Sequence, residues 1–513
     1  MSITPKWKAA ELPLSNKEEI QAAILAVTRR QTTLSDLKSP CSSTPYIKIA
    51  RRMVQQFLNG GKRILIQSDF DADGITSAVV WARHLRKNTE VLTVIPDRSQ
   101  GHSSLVPLEN ALKTFNPDRV IVLDSGTNQL PKIALIAAGR PCLVVDHHQP
   151  EKPDYQPTEG VQLINPHTFP GPMLEKDLST AGLSGYILEN LDQKSKLLAG
   201  IGQVGDIMPL SKLSYQMAQQ TLNLIATGDN TGLAALLPKE ISLQGLSFQT
   251  IPRINAVSRM AHSLLIYSLL LDDNPPAQMF LEIERLNQER KDVTAKFMEA
   301  ITDQINDAPI QVIYVPELPG SLAGPLASKV SQETYKPVLC LSNTASGDIG
   351  GSFRSPIDLD LAALITQLKA NGICKSGGGH KRAAGLTLAF NQLDRLKTAL
   401  SQVSLPEESR TFIPAPSMPF AQLTAIYAET EPFGSGTPPP IWGIPFFNPQ
   451  IKTLYSKKNG QAWANKGTLS TPQGTISFLE TAKVHWKQAG LAFGYIEFDA
   501  FMQEYLLKIV AIE

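Results

Sequence analysis

The chain has 513 residues, is 42% hydrophobic and 19% charged, and carries a formal net charge of +1. Such a length exceeds one ordinary core, so about two to four domains are expected, and the composition excludes a disordered chain. No apolar run approaches the roughly 20 residues that cross a bilayer; Met1 to Pro13 lacks the apolar core of a secretory signal; and near-neutral charge argues against a non-specific polyanion binder while leaving room for a local basic channel.

In chain order, an N-terminal segment (1–45) precedes an α/β region expected over 46–272. Short apolar, β-branched runs recur there at Arg63–Gln67, Val91–Ile95, Arg119–Leu123, Cys142–Val145 and Val161–Ile164, with helical patterns at Ile75–Arg86 and Lys132–Ala138. Buried strands alternating with helices predict a mostly parallel sheet. Residues 273–310 read as a connecting helix from Ala277 to about Ala308, with Met279, Phe280, Ile283 and Leu286 on one stripe and charges opposite; a connector packed on both neighbours is the plain reading of that pattern. Residues 311–405 read as a smaller α/β domain, with strands at Gln311–Val315, Pro337–Leu341 and Leu386–Phe390 and helices at Leu359–Ala370 and Gln392–Val403. The Pro- and Ser-rich stretch 406–419 reads as a linker. Residues 420–513 turn to β, with strands at Ile451–Tyr455, Thr475–Leu479 and Leu506–Ile512, and a small β-barrel fits that length. Cys41, Cys142, Cys340 and Cys374 form no Cys-x-x-Cys pair, so neither a disulfide framework nor a structural zinc site is expected, which suits a reducing cytosol.

Ligands of an open parallel sheet bind beyond the carboxyl ends of its strands. Those ends read Ser68-Asp69-Phe70-Asp71-Ala72-Asp73-Gly74, Leu123-Asp124-Ser125-Gly126 and Val145-Asp146-His147-His148, and a later segment adds Gly205-Asp206-Ile207. Any one aspartate could be a loop residue or a helix N-cap. Four segments converging on one edge are different, because crowded carboxylates repel and divalent cations relieve them. Mixed Asp/His ligation suits Mn²⁺, with Mg²⁺ also compatible. Asp69 lies one step deeper in its strand than Asp71 and is left out of the ligand set.

Asp71-Ala-Asp73-Gly74, Asp124, Asp146-His147-His148 and Asp206 resemble the four motifs of the DHH phosphoesterase superfamily, and Gly378-Gly379-His380-Lys-Arg-Ala383-Ala384-Gly385 is similar to the motif of its DHHA1 companion domain. Pro252-Arg253-Ile-Asn255-Ala256-Val-Ser-Arg259, Leu286-Asn287-Gln288-Glu-Arg290 and Pro432-Phe433-Gly434-Ser-Gly436-Thr-Pro438 narrow the resemblance to the RecJ family of 5′→3′ single-strand-specific DNA exonucleases, over roughly residues 50 to 513. The resemblance implies a mostly parallel-sheet DHH domain, a DHHA1 domain and an OB-like barrel. It implies two divalent ions held by Asp71, Asp73, Asp124, His147 and Asp206, with Asp124 as the bridge. His148 then stands near the leaving group, and Asp124, Arg253 and His380 join it in the catalytic set. Arg253, Asn255, Arg259, Ser352, Arg354, Gly378, Gly379 and His380 are implied to bind substrate, partly as a 5′-phosphate pocket. For Arg253 the plain alternative is a structural salt bridge, and for the Gly377–Gly379 run a turn. Single-stranded DNA is the implied partner of a cytoplasmic monomer working in repair or recombination, alongside single-strand-binding protein and a helicase.

The chain departs from the family at three places. Gln67 stands where some members have a ligating histidine, and is a weak ligand. Arg98-Ser-Gln-Gly101-His102-Ser103 is one residue shorter than the usual segment and replaces its aromatic residue, leaving His102 to stack. Pro319-Gly-Ser321-Leu-Ala-Gly324 lacks the family histidine. Two other readings stand beside the exonuclease: a phosphodiesterase for small substrates such as oligoribonucleotides or cyclic dinucleotides, which the C-terminal β region opposes, and a non-catalytic scaffold, which the complete Asp/His set opposes.

Overall fold

Five β-branched runs form one parallel sheet in the order Glu90–Val94, Arg63–Ser68, Arg119–Leu123, Cys142–Val145, Val161–Ile164. The central strands are buried on both faces, which is why they read as unbroken apolar runs rather than as alternation. The computed structural model describes residues 6–513 except 29–33, 40, 42, 102, 151–157, 229–231, 261, 345, 407–408, 435–436, 456–461, 482–483, 500–501 and 503, and except the side chains of Ser99, His380 and Ser409. Helices Val106–Phe115 and Leu130–Ala137 cover one face of the sheet. Helix Ala72–Leu85 covers the other, backed by a helical layer that includes Thr180–Ile187, Gln193–Gly205 and Ile251–Arg259. The chain leaves Arg63–Ser68 toward one edge and returns to Arg119–Leu123 on its other side. That reversal opens a crevice at the carboxyl ends of these two strands.

Helix Ala277–Ala300 stops short of the expected Ala308, because a 3₁₀ turn at Thr302–Gln304 follows. It packs Met279 and Phe280 on the first core and Val293, Phe297 and Met298 on the second, as a connector shared by both neighbours should. The second sheet runs Ser376–His380, Ala383–Leu388, Ile349–Arg354, Val338–Asn343, Gln311–Tyr314, with only the last two parallel. Two of its strands were not expected. Ile349–Arg354 and Ser376–His380 are glycine-rich, and glycine gives a pleated surface nothing to pack. The Gly377–Gly379 run is therefore an edge strand rather than a turn.

A closed barrel is built from Ile441–Tyr455, Ala462–Thr471, Gly474–Glu480, Glu504–Ile512 and Ala489–Asp499, with the first strand pairing both the second and the last. Two expectations change here. Within the stretch read as a linker, Ser409–Pro414 is a strand lying parallel to Ile441–Gly443, and Lys6–Ala9 of the N-terminal segment pairs with it in turn. Prolines 414, 416 and 419 obscured that strand, and its partners lie far off in sequence. Helix Lys17–Val27 also belongs to this unit, since Ile20, Ala23 and Ile24 share a core with Ile413, Tyr427 and Trp442, and Trp7 stacks on Phe493 at 4.1 Å. Ile24→Ala is expected to cost the barrel about 2–5 kcal/mol, read as an earlier midpoint in denaturant by tryptophan fluorescence; an unshifted midpoint would detach the N-terminal helix from this core.

Candidate metal centre and anion pocket

Each acidic residue of the crevice is placed by a backbone feature. Asp71 caps helix Ala72–Leu85, accepting the amides of Asp73 at 3.0 Å and Gly74 at 3.1 Å, so the next carboxylate, Asp73, points off the first turn. Asp124 leaves its strand at φ +58°, a left-handed conformation that aspartate tolerates better than most residues. Asp206 ends helix Gln193–Gly205 and is followed by Ile207 at φ +61°. Asp146 is spent on architecture. One oxygen takes the Thr127 amide at 3.0 Å; the other takes the amides of His147 and His148 and His148 Nδ1, the last at 2.7 Å. Asn165 completes this support, donating to Thr127 Oγ1 and to the His148 carbonyl.

These supports bring His147 Nε2 within 3.3 Å of Asp206, 3.4 Å of Asp124 and 3.8 Å of Asp73. Three sets of ligand atoms lie mutually within 4.8 Å: Asp73, His147 and Asp206; Asp124, His147 and His148; and Asp69, Asp71 and Asp124. Asp124 and His147 each belong to two sets. The third set brings in Asp69, which strand depth had excluded; it is buried, but the turn after Ser68 carries it to the same point.

Burial, with the charge of Asp71, pushes Asp73 up to about 6. Burial and the charges of Asp73 and Asp71 raise Asp124 and Asp206 well above the carboxylate range. Burial also works against the charge of His148, but its bond to Asp146 and the surrounding carboxylates outweigh it and lift it to about 9. The same partner holds Asp146 well below its ordinary value against the pull of burial. A crevice that makes its own carboxylates costly to ionise, and sets a neutralisable histidine among them, is chemically fitted to divalent cations.

Gln67 is not positioned as a ligand. Its amide is used at both ends, Nε2 donating to the Ser104 carbonyl at 2.9 Å and Oε1 accepting the Leu108 amide at 2.8 Å, so it clamps the loop before helix Val106–Phe115.

Beside the acidic crevice lies a basic one. Arg253 and Asn255, expected to hold phosphate, have other partners: Arg253 bonds Glu284 and the Gln249 carbonyl, and Asn255 accepts the Ala72 amide at 3.1 Å, tethering the metal loop. Arg253 thus takes the salt-bridge role that was its plain alternative. Arg259 and Arg354 do converge, joined by Arg98 and Arg290, whose charges with burial depress Arg259 well below its ordinary value. Among the described residues none of these four has a carboxylate within 4.0 Å. Arg98 bonds Ser258, Arg259 the Ser321 carbonyl, Arg290 Asn287 and Arg354 the carbonyl of Phe353. Half-buried guanidinium groups that repel one another and have no carboxylate within ion-pairing distance have the chemistry to hold an anion. Ser352 and Arg354 share a strand face, and a Cβ on Gly324 would stand 2.9 Å from Arg354 Nη2 and 3.3 Å from Ser352 Oγ, so a side chain there would crowd both. Gly378 pairs with Gly385, which pairs with Ser352, so the glycine strand lies two strands from the pocket wall. The His380 side chain, and His102, lie outside the described residues. Arg98 was missed as a pocket residue; its signal was its position just past the carboxyl end of Glu90–Val94, on the edge that holds the aspartates.

Residues 63–228 match the DHH family N-terminal domain and residues 307–404 the DHHA1 domain. The single-stranded-DNA-specific exonuclease RecJ of Thermus thermophilus is 27% identical across 93% of this chain and 75% of its own length. The Bacillus subtilis exonuclease of the same name is 27% identical across 72% of this chain, which spans about half (49%) of that relative. Among solved structures, Thermus thermophilus RecJ in complex with Mn²⁺ superposes with a TM-score of 0.79 at 21% identity, over 99% of this chain and 78% of that one. An exonuclease RecJ bound to manganese gives 0.59 at 23%, over 72% and 97%. Both are likenesses of fold.

Folded, Asp73 keeps its proton up to about 6 against an ordinary 3.8. The metal-free protein therefore loses stability through this group as pH rises between those values, and bound cations should restore it. Mn²⁺ is expected to raise Tm more at about pH 7.5 than at about pH 5. Equal shifts in a thermal scan would mean that the buried carboxylates do not take up the ion.

Proposed function

The chain belongs to the DHH/DHHA1 phosphoesterases as a RecJ-type member, and from that premise we propose that it is a metal-dependent nuclease removing mononucleotides from the 5′ end of single-stranded DNA. The observation that carries this reading is the adjacency of two oppositely charged crevices, an Asp/His cluster and a group of arginines with no described carboxylate within 4.0 Å. A phosphate chain end answers both.

In this reading Asp71, Asp73, Asp124, His147 and Asp206 would hold two divalent ions, with Asp124 belonging to two of the ligand sets and Asp69 to one. Mn²⁺ suits the mixed oxygen and nitrogen donors, and Mg²⁺ is compatible. Such ions supply a hydroxide and clamp the scissile phosphate. His148, engaged at Nδ1 by Asp146, is left with Nε2 to serve the leaving oxygen as proton donor. Arg98, Arg259 and Arg354, with Ser352, take the terminal 5′-phosphate, whose second charge an internal phosphodiester lacks. That difference sets the polarity of attack.

The barrel serves longer strands. Trp442 is core and Trp486 packs against that core, so neither is a stacking platform, and Tyr495 is half-buried. Trp463 and Tyr455 are 54% and 65% exposed on the long hairpin, where Lys452 and Lys466 pair directly across the strands. Like charges opposite one another are tolerable where a polyanion passes. Lys457 to Gly460 lie outside the described residues. No described helix is long and apolar enough to cross a membrane. Repair and recombination, with a helicase and single-strand-binding protein as suppliers of substrate to a monomeric enzyme in the cytoplasm, follow from the same reading.

With Mn²⁺ and singly labelled strands, the 5′ label should be released first as mononucleotide, and Asp124→Ala should lose more than about 10²–10³-fold in rate. Release of the 3′ label first overturns the polarity, and activity within about tenfold of the parent removes Asp124 from the centre. The parent should prefer a 5′-phosphate to a 5′-hydroxyl, whereas Arg354→Ala should treat the two alike. Undiminished preference in that variant would move the phosphate elsewhere.

A further inference from the structure

Asp73 accepts three hydrogen bonds from one tripeptide over 100 positions away. Ser179 Oγ and the Ala181 amide both donate to its Oδ1 at 2.8 Å, and the Thr180 amide donates to its Oδ2 at 2.8 Å. An ionised carboxylate has about four acceptor positions. Three are filled by the start of helix Thr180–Ile187, and the one left is on Oδ2, the oxygen that stands 3.8 Å from His147 Nε2. Thr180 also reaches the neighbouring carboxylate, its Oγ1 donating to Asp124 Oδ1 at 3.2 Å.

This tripeptide is itself held from behind. Gln203 accepts the Ser179 amide at 2.9 Å and donates to the Asp177 carbonyl at 2.9 Å, and it lies three residues before Asp206 on the same helix. Ser179, Thr180 and Gln203 are all buried. The helices meet without slack: a Cβ on Gly202 would fall 2.4 Å from Ala181 Cβ and 3.2 Å from Asp73 Oδ1, and one on Gly182 would fall 2.0 Å from Gln203 Oε1. The tripeptide therefore has no room to follow a carboxylate that moves.

We propose that Ser179 and Thr180 are positioning residues of the metal centre, which fix Asp73 as a single-oxygen ligand through Oδ2 and tie its aim to that of Asp124 and, through Gln203, to Asp206. The inference rests on the metal-centre reading and adds residues that touch no ion. It also explains how buried carboxylates stay aimed at one point although they repel. The helix start supplies N–H and O–H donors, and its dipole favours negative charge. Side chains that orient metal ligands commonly contribute about 10–100-fold to metal affinity.

The test is calorimetric titration of the full chain with Mn²⁺ alone, alongside circular dichroism. Thr180→Val keeps the shape and the amide but removes the hydroxyl, and Thr180→Ser restores the hydroxyl without the methyl. Thr180→Val should bind Mn²⁺ about 10–100-fold more weakly, Thr180→Ser within about threefold of the parent, and nuclease activity of Thr180→Val should recover as Mn²⁺ is raised. Parent-like affinity in Thr180→Val overturns the role of its hydroxyl on Asp124, and parent-like affinity in Ser179→Ala, which removes the hydroxyl donated to Asp73, overturns the fixing of Asp73; both leave the metal centre standing. Equal weakening in Thr180→Val and Thr180→Ser also overturns the first of these, since packing rather than the hydroxyl would then be at work. A parent chain that takes up no Mn²⁺ overturns both the metal-centre reading and this one.

Discussion

Like charges brought together away from water must be neutralised or separated, and this molecule holds two such gatherings side by side. Asp69, Asp71, Asp73, Asp124 and Asp206 crowd one crevice, and Arg98, Arg259, Arg290 and Arg354 the next. The two are coupled rather than cancelled. Asp71 and Asp69 support the charge of Arg98, whose guanidinium lies 4.3 Å from the ring centre of Phe70, the residue between those two aspartates. Direct Asp–Arg pairing across the border would have quenched both sites. The apolar ring stands between them, and the two sites stay adjacent without cancelling.

Every other layer of the fold can be understood as holding those charges in place. The strand reversal sets the Asp69–Asp73 turn next to Asp124. The helical layer contributes Asp206 and Arg259, and Asn255 ties that layer to the metal loop. The second sheet closes the arginine side with Ser352 and Arg354, approached by the Ser321 carbonyl that accepts from Arg259. Net charge near zero is thus the sum of opposed local fields, which is why it said little about partners.

What could be read beforehand followed physical signal strength. Arg119–Leu123 and Cys142–Val145 were found at their observed bounds, because a strand buried on both faces writes itself as an unbroken β-branched run. The Asp/His residues were legible because they sit where such strands end. Glycine strands left no pattern, since glycine contributes no side chain to alternate. The occupations of Arg253 and Gln67 were also invisible: one bonds Glu284, 31 positions on, the other a loop 37 positions on, and no local spacing encodes either. Asp69 stands closer to the other carboxylates than its place in the chain suggested, for a different reason. Strand alternation was extended past the strand, where a turn had already taken over.

The N-terminal strand and helix complete a barrel whose own strands begin at Ile441. The apolar face of helix Lys17–Val27, Ile20 and Ile24 among it, has no partner beyond its own segment in this core before Ile413, about 390 positions further along the chain. Burial of that face therefore depends on contacts of very long sequence separation, which the contiguous parallel-sheet domain does not need.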